Sequence, residues 1–320
     1  MKGVILDRDS LGSDMDLSPI TGTLDHWDIY PSTKKSDIIE RCQDASVILS
    51  NKVFLGRETM LACPQLKFIS ILATGTNNVD INAAKDLGIT VSNARNYSTE
   101  SVVQHTLQLM LALVSNINDY QLAARDGRWS GSPFFCYLNR PIQSIHNLTL
   151  GIIGFGSQGK RLKTIAEALG MTVLVSMRAN LEDSLDQSGL RTPFKEVLER
   201  SDIISLHCPL TEDTENLIGQ REFKIMKPSA VIVNCARGGI INEQDLSEAL
   251  DHDMIAGAAL DVLREEPPPR DHPLLLNGHP NLIVSPHVAW ASTESRQQLI
   301  CQTKDNIEAF LANEPQNQCY

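Results

Sequence analysis

The sequence has no apolar run free of charges that approaches the ~20 residues of a membrane span. Its opening, MKGVILDRDS, has no long apolar stretch of the signal-peptide kind. Both absences disfavour membrane insertion and secretion, and a cytoplasmic protein is expected. A Cys-x-x-Cys pair is missing too: Cys42, Cys63, Cys136, Cys208, Cys235, Cys301 and Cys319 are odd in number and scattered. This argues against a disulfide framework and against a thiolate metal site, and no metal is expected. Basic residues are scarce, with 28 Lys and Arg against 39 Asp and Glu, a net charge of −11. Such a balance opposes non-specific binding to nucleic acid or anionic lipid, so an anionic substrate would have to be captured by a few local cations. Internal repeats and low-complexity tracts are also absent. What remains is a 320-residue chain, 42% apolar, with material for two buried cores or one large one.

The first hundred residues alternate apolar runs (Val4 to Leu6, Val47 to Leu49, Phe68 to Leu72, Ile89 to Val91) with helix-like segments such as 36–45 and 57–62. Buried runs separated by helices imply a parallel sheet covered on both faces. From Thr99 to about Ala124, Val103, Leu107, Met110, Leu111, Val114 and Ile117 recur at helical spacing behind a capping-type start at Ser98-Thr99. The pattern predicts one long helix. After a less regular stretch, 127–147, six further strand-like runs begin at Leu150, Val173, Ile203, Ala230, Ile255 and Leu282. Such a series fits a Rossmann sheet. A last helix is expected over about 293–312.

Gly154-Phe155-Gly156-Ser157-Gln158-Gly159 is a GxGxxG string, too common alone to carry a claim. Its setting is more specific: it follows the run Leu150 to Ile153 and opens the helix-like run Lys160 to Leu169. Amides and helix dipole would then face a pyrophosphate; the alternative is a purely structural strand-to-helix turn. About twenty residues on, a free ribose 2′-hydroxyl calls for an acidic residue at the end of the second strand. Val173 to Asn180 has none, and Ser176-Met177-Arg178 stands there instead. Arg178 beside a small Ser176 suits a 2′-phosphate through charge-assisted hydrogen bonds, which favours NADP over NAD. Otherwise Arg178 is a solvated residue and either dinucleotide is accepted.

Three segments put polar residues just after buried strands, the edge where open α/β sheets bind ligands. In Val231 to Gly239, Arg237 follows a strand and precedes two glycines, and its planar fork fits a carboxylate and an adjacent carbonyl oxygen. In Asp261 to Pro269, prolines stiffen the loop that carries Glu266. In Ile283 to Trp290, His287 lies at a strand's end. A carboxylate bonded to an imidazole fixes its orientation and makes it a proton donor. Each alone could be structural.

Taken in order, GFGSQG, NCARGG, DVLREEPPP and SPHVAW resemble the D-isomer-specific 2-hydroxyacid dehydrogenase family over nearly the whole chain. At the front, LDRDSL, Ser50-Asn51-Lys52 and ATGTNNVD (73–80) are similar to its glycerate dehydrogenase (hydroxypyruvate reductase) branch. The resemblance implies two doubly wound parallel-sheet lobes with a cleft between them. One is a flavodoxin-like substrate domain, discontinuous over 1–98 plus 291–320; the other is a Rossmann NAD(P)-binding domain over 99–290. Arg237, Glu266 and His287 become the catalytic set, and Lys52, Gly75, Thr76 and Arg237 the substrate site. The cofactor site becomes Thr106, Gly154, Gly156, Ser157, Gln158, Gly159, Ser176, Arg178, Pro209, Cys235, Ala236, Asp261 and His287.

The implied activity is reduction of hydroxypyruvate or glyoxylate to D-glycerate or glycolate by NAD(P)H, in a homodimer joined through the cofactor lobe. A larger 2-oxo acid, or a dinucleotide-sensing corepressor-like binding protein of the same fold, is the alternative. Two positions depart from the family: Gln104 replaces an acidic residue of the long helix, and Met177 replaces the Asp that ends the second Rossmann strand. The second departure puts strict NAD use in doubt.

Overall fold

A computed structural model describes residues 1–178, 191–276 and 278–320; Ala179 and Asn180 of the expected second strand lie outside them. The chain divides into two compact units, Met1–Ser98 with Ala291–Tyr320, and Thr99–Trp290.

In the first unit β1 (Lys2–Ile5), β2 (His26–Ile29), β3 (Val47–Ser50), β4 (Phe68–Ile71) and β5 (Thr90–Ser92) form one sheet ordered β2-β1-β3-β4-β5. Every pairing is parallel. β3 and β4 are buried along their whole length, as their unbroken apolar sequences require of a sheet covered on both faces. The C-terminal helix, Thr293–Leu311, contributes to that cover, with Phe310 stacked on Phe68 at 4.6 Å between ring centroids. β2 was not expected, because HWDI has no apolar run. Its pairing is made possible by Gly3: a Cβ there would lie 2.4 Å from the Trp27 ring. At the far edge, Gln318 bridges Ser92 and Cys319 N–H donates to Val91 O at 3.0 Å, so the end of the chain covers an exposed strand.

The second unit holds β6 (Thr149–Ile153), β7 (Thr172–Val175), β8 (Ile203–Leu206), β9 (Val231–Asn234), β10 (Gly257–Leu260) and β11 (Leu282–Val284). All six expected strands are present, ordered β11-β10-β9-β8-β6-β7 and parallel throughout. One apolar layer groups Leu150, Ile152 and Val233 with Leu109, Met110 and Leu162; the other groups Leu206 and Ile232 with Phe223 and Leu246. The expected fold class, two doubly wound parallel α/β sheets, is the one observed. The expected single helix is two, Thr99–Ser115 and Ile117–Arg125. Between them Asn116 turns left-handed (φ 53°), and its side chain donates to Pro141 O at 2.8 Å. Asparagine tolerates this conformation, so apolar spacing continued across a break that only the backbone reveals. Among the described residues no helix is long and apolar enough to cross a membrane.

The strand order reverses between β6 and β8, and the turn after β6 lies at that point of the sheet. Gly154 has φ +98°, and a Cβ on it would lie 2.5 Å from Cys208 N. By contrast, a Cβ on Gly156 would meet nothing within 4 Å. Gly154→Ala should therefore lower stability by about 2 kcal/mol or more, while Gly156→Ala should stay within about 0.5 kcal/mol of the parent. Urea denaturation of the two variants measures the difference; equal stabilities would contradict it.

Candidate active site

Leu260 of β10 pairs with Asn234 of β9 and with Val284 of β11, so these three strands end together and the segments after them emerge side by side. After β9, Asn234 fixes the turn: its Oδ1 accepts from Ala236 N at 3.0 Å and its Nδ2 donates to Arg237 O at 2.8 Å. Arg237 is half-buried, with Nη1 donating to Ala236 O at 2.7 Å. The next residue, Gly238, lets this turn press against the following loop: a Cβ there would lie 1.9 Å from Leu263 O. Leu263 N–H in turn donates to Glu266 Oε1 at 2.9 Å. Arg237 and Glu266 are thus placed by two loops in backbone contact.

The Glu266 loop is anchored further along. Arg264 N–H donates to Glu243 Oε1 at 2.6 Å, its guanidinium pairs with Glu215 at 2.8 Å, and His272 Nε2 lies 3.0 Å from Glu243 Oε2. The second carboxylate oxygen of Glu266 lies 2.6 Å from His287 Nδ1. A carboxylate only accepts, so Nδ1 carries the hydrogen and Nε2 is the atom left to exchange a proton. Both side chains are about one-third exposed, His287 at 30% and Glu266 at 34%.

His287 sits at φ 53°, a conformation a non-glycine residue holds only when its surroundings impose it. The source is Asp261, which is 1% exposed. Its backbone carbonyl accepts from His287 N at 2.8 Å. Its Oδ1 accepts from Ser285 Oγ at 2.6 Å and Val288 N at 3.0 Å, and its Oδ2 from Ala289 N at 2.9 Å. His105 of the first long helix completes the cluster, with Nε2 2.9 Å from Ser285 Oγ. Sequence reading named Asp261 as a cofactor residue; the fold turns its carboxylate inward onto the His287 loop. Ser285 and Asn234, the two polar residues that hold the loops, were missed. Neither carries a motif signal, since a residue's hydrogen-bond partners cannot be read from its type.

Around the β6 turn, Gly156 and Ser157 are exposed at the start of the Ser157–Ala168 helix, with Gln158 half-buried and Gly159 buried. Amides at a helix start with no acceptor among the described residues, beside open space over Gly156, fit a pyrophosphate. Further along the same edge Thr106, Cys235 and Ala236 are buried. The Thr106 hydroxyl donates to Val102 O at 2.8 Å, and burial pushes the Cys235 thiol up to about 12, far from thiolate chemistry. Pro209 is exposed after β8.

At the end of β7, Ser176 is 2% exposed and its hydroxyl donates to Met177 O at 2.7 Å. Arg178 is exposed, and a second exposed arginine, Arg191, donates through Nη1 to Ser176 O at 3.3 Å. Arg191 escaped the sequence reading because it stands fifteen residues beyond the strand end it returns to.

In the first unit, Lys52 follows β3 and is exposed, and Gly75 and Thr76 follow β4, each half-buried. Asn93 Nδ2 ties this second loop by donating to Thr74 O at 2.7 Å, and Asn306 of the last helix donates to Asn93 O at 3.0 Å. Among the described residues, neither Gly75 nor Thr76 donates its backbone N–H to a protein partner.

A family model described as the NAD binding domain of D-isomer specific 2-hydroxyacid dehydrogenases matches residues 107–289. The chain is 44% identical to a glycerate dehydrogenase of Methylorubrum extorquens, covering 99% of this chain and 98% of that one. It is 37% identical to a hydroxypyruvate reductase of Blautia hydrogenotrophica, covering 99% of each. The crystal structure of the TT0316 protein from Thermus thermophilus, 28% identical, superposes over 100% of both chains with a TM-score of 0.87. With its three strand-end motifs, its glycine turn and these full-length likenesses, the chain belongs to the D-isomer-specific 2-hydroxyacid dehydrogenase family.

Proposed function

We propose that the protein reduces small 2-oxo acids, hydroxypyruvate or glyoxylate, to D-glycerate or glycolate. The observation that carries this reading is the 2.6 Å pair of His287 Nδ1 and Glu266 on a left-handed histidine held by Asp261. A bound reduced nicotinamide dinucleotide would supply the hydride, held by the amides of Gly156, Ser157 and Gln158. Arg237 then serves the carboxylate and polarises the keto oxygen, and His287, doubly protonated, gives the Nε2 proton to that oxygen as it becomes a hydroxyl. Glu266 fixes the ring through its bond to Nδ1. Lys52, Gly75 and Thr76 supply a cation and two backbone donors for the substrate carboxylate. Thr106, Cys235 and Ala236 pack beneath the nicotinamide, while Asp261 positions His287. The names of the two relatives favour an enzyme over the corepressor-like alternative.

Arg178 and Arg191 at the end of β7 are the basis for preferring NADP: two guanidinium groups can grip a dianionic 2′-phosphate where Met177 offers a ribose hydroxyl nothing. The scattered cysteines suit the reducing cytoplasm. In the second unit, residues 127–147 leave Phe134, Phe135 and Leu138 72%, 93% and 77% exposed. Local bonds such as Trp129 Nε1 to Phe135 O at 3.0 Å define the segment. An ordered segment with aromatic residues outside calls for a partner, and we assign a second copy of this chain.

Three measurements test these points. Initial rates with hydroxypyruvate and glyoxylate, each with NADH and NADPH, should show turnover, and His287→Ala should lower kcat about 10²- to 10⁴-fold with cofactor affinity nearly intact. Normal turnover in that variant would refute the assigned proton donor. Arg178→Ala and Arg191→Ala should each weaken NADPH binding by about tenfold, as charge-assisted contacts do, and leave NADH titrations unchanged. Equal losses for both dinucleotides would remove the 2′-phosphate assignment. Light scattering should give a dimer mass, and Phe135→Asp with Leu138→Asp should give a monomer; an unchanged mass would place the interface elsewhere.

A further inference from the structure

The first sheet, ordered β2-β1-β3-β4-β5, reverses between β1 and β3. In open parallel sheets the crevice at such a reversal is where ligands settle, with loop amides turned toward them. Here the crevice already holds an anion supplied by the chain. Asp7, two residues beyond β1 and 5% exposed, accepts from the backbone N–H groups of the loop after β3. Asn51 N lies 3.0 and 3.1 Å from its two carboxylate oxygens, Lys52 N bonds one of them, and Val53 N lies 3.3 Å away. Side chains close the same arrangement: Asn51 Nδ2 donates to Ser10 Oγ at 3.0 Å, and Ser10 Oγ donates to Asp7 O at 2.6 Å.

Three convergent N–H groups need a group that accepts and never donates. A carboxylate meets that demand with both oxygens; a carboxamide would leave its oxygen to Lys52 and Val53 and set its NH2 against the N–H of Asn51. Because these amides are spent on Asp7, the β3 loop can serve a substrate anion only through a side chain. The residue it presents is Lys52, whose backbone N–H is the middle one of the three. One strand over, the N–H groups of Gly75 and Thr76 are not spent on protein acceptors among the described residues.

We propose that Asp7 is a positioning residue for substrate binding, an internal anion that occupies the first sheet's crevice, sets Lys52 and leaves the Gly75 loop to receive the substrate carboxylate. The assignment rests on the reading of the chain as a 2-oxo acid reductase. It acts on binding of the acid and not on proton transfer, so its loss should show in KM and not in kcat.

Steady-state kinetics with hydroxypyruvate and NADH on the full chain provide the test. Asp7→Asn should raise KM about tenfold and hold kcat within about threefold, with the NADH Kd from fluorescence titration unchanged. In a Lys52→Ala background the same substitution should change KM less than about twofold, because both act through one loop. An unchanged KM, or a tenfold rise that persists without Lys52, would overturn the proposal; so would a fall in kcat with KM constant. Should Asp7→Asn fail to fold, Ser10→Ala loosens the same loop more gently and must give the same rise confined to KM, and its failure to do so is equally decisive. A parent enzyme inactive on every 2-oxo acid would remove the underlying reading, whereas an active parent with an indifferent Asp7→Asn variant would remove this inference alone.

Discussion

Parallel pairing is the constraint from which the rest follows. When all strands of a sheet run one way, every connection must cross over a face, so both faces are covered and all strand ends collect on one edge. That edge is where the chain has loops without ladder partners, and their N–H groups must find acceptors. In each unit a buried aspartate meets this need. Asp7 takes amides of residues 51, 52 and 53 at the first sheet's edge. Asp261 takes those of Val288 and Ala289 with the Ser285 hydroxyl at the second. Each carboxylate belongs to one strand end and binds the loop of the neighbouring strand, so the order of the sheet becomes the order of the site.

Seen this way, the strained backbone of His287 is a consequence of that shared edge. Asp261 constrains the loop before, at and after the histidine, its carboxylate taking Ser285 Oγ and Val288 N and its carbonyl taking His287 N. A left-handed turn brings the ring to Glu266, which is itself committed through its other oxygen to Leu263 N. The imidazole is therefore held by a chain of contacts that begins in the core of the sheet and ends at its proton.

How much of this could be read from sequence depended on whether a residue's type or its partner decided its role. Buried strands were legible because short runs rich in β-branched residues, such as VILS or IISL, recur between helix-like segments. Glycines 154 and 159 were legible because backbone space restricts the choice to one residue type, a Cβ on Gly154 falling 2.5 Å from Cys208 N and one on Gly159 2.3 Å from Gly154 O. β2 was not, since an edge strand need not be apolar, and its signal, Gly3 facing Trp27, spans 24 positions. Nor could the break at Asn116 be seen, because apolar spacing continues through it. Arg237, Glu266 and His287 stood out by their strand-end positions, whereas the hydrogen bonds that Ser176 and Asp261 make to the protein could not be read from their types. The direction of a short polar side chain depends on the nearest unpaired amide, which only the fold supplies.

The two aspartates differ in one respect that bears on why Asp7 is present. Burial, the dominant influence on Asp7, raises its carboxyl above the usual carboxylate range despite the opposing hydrogen bonds from residues 51 to 53 and the charge of Lys52. A raised acid binds its proton more tightly folded than unfolded, so this group's contribution to stability declines as pH rises from the unfolded value through the folded one. The charged form of Asp7 therefore opposes folding relative to an unperturbed carboxylate. The same crevice leaves Asn51 Oδ1 buried with no hydrogen-bond partner among the described residues, a second small loss. Local losses concentrated at one sheet edge are what a site built for a ligand shows and what a core built for stability avoids. On stability alone an apolar side chain would serve between β1 and β3 only if the three amides could be paired elsewhere. The carboxylate keeps those amides aligned at a cost, with the N–H of Lys52 the middle one of the three.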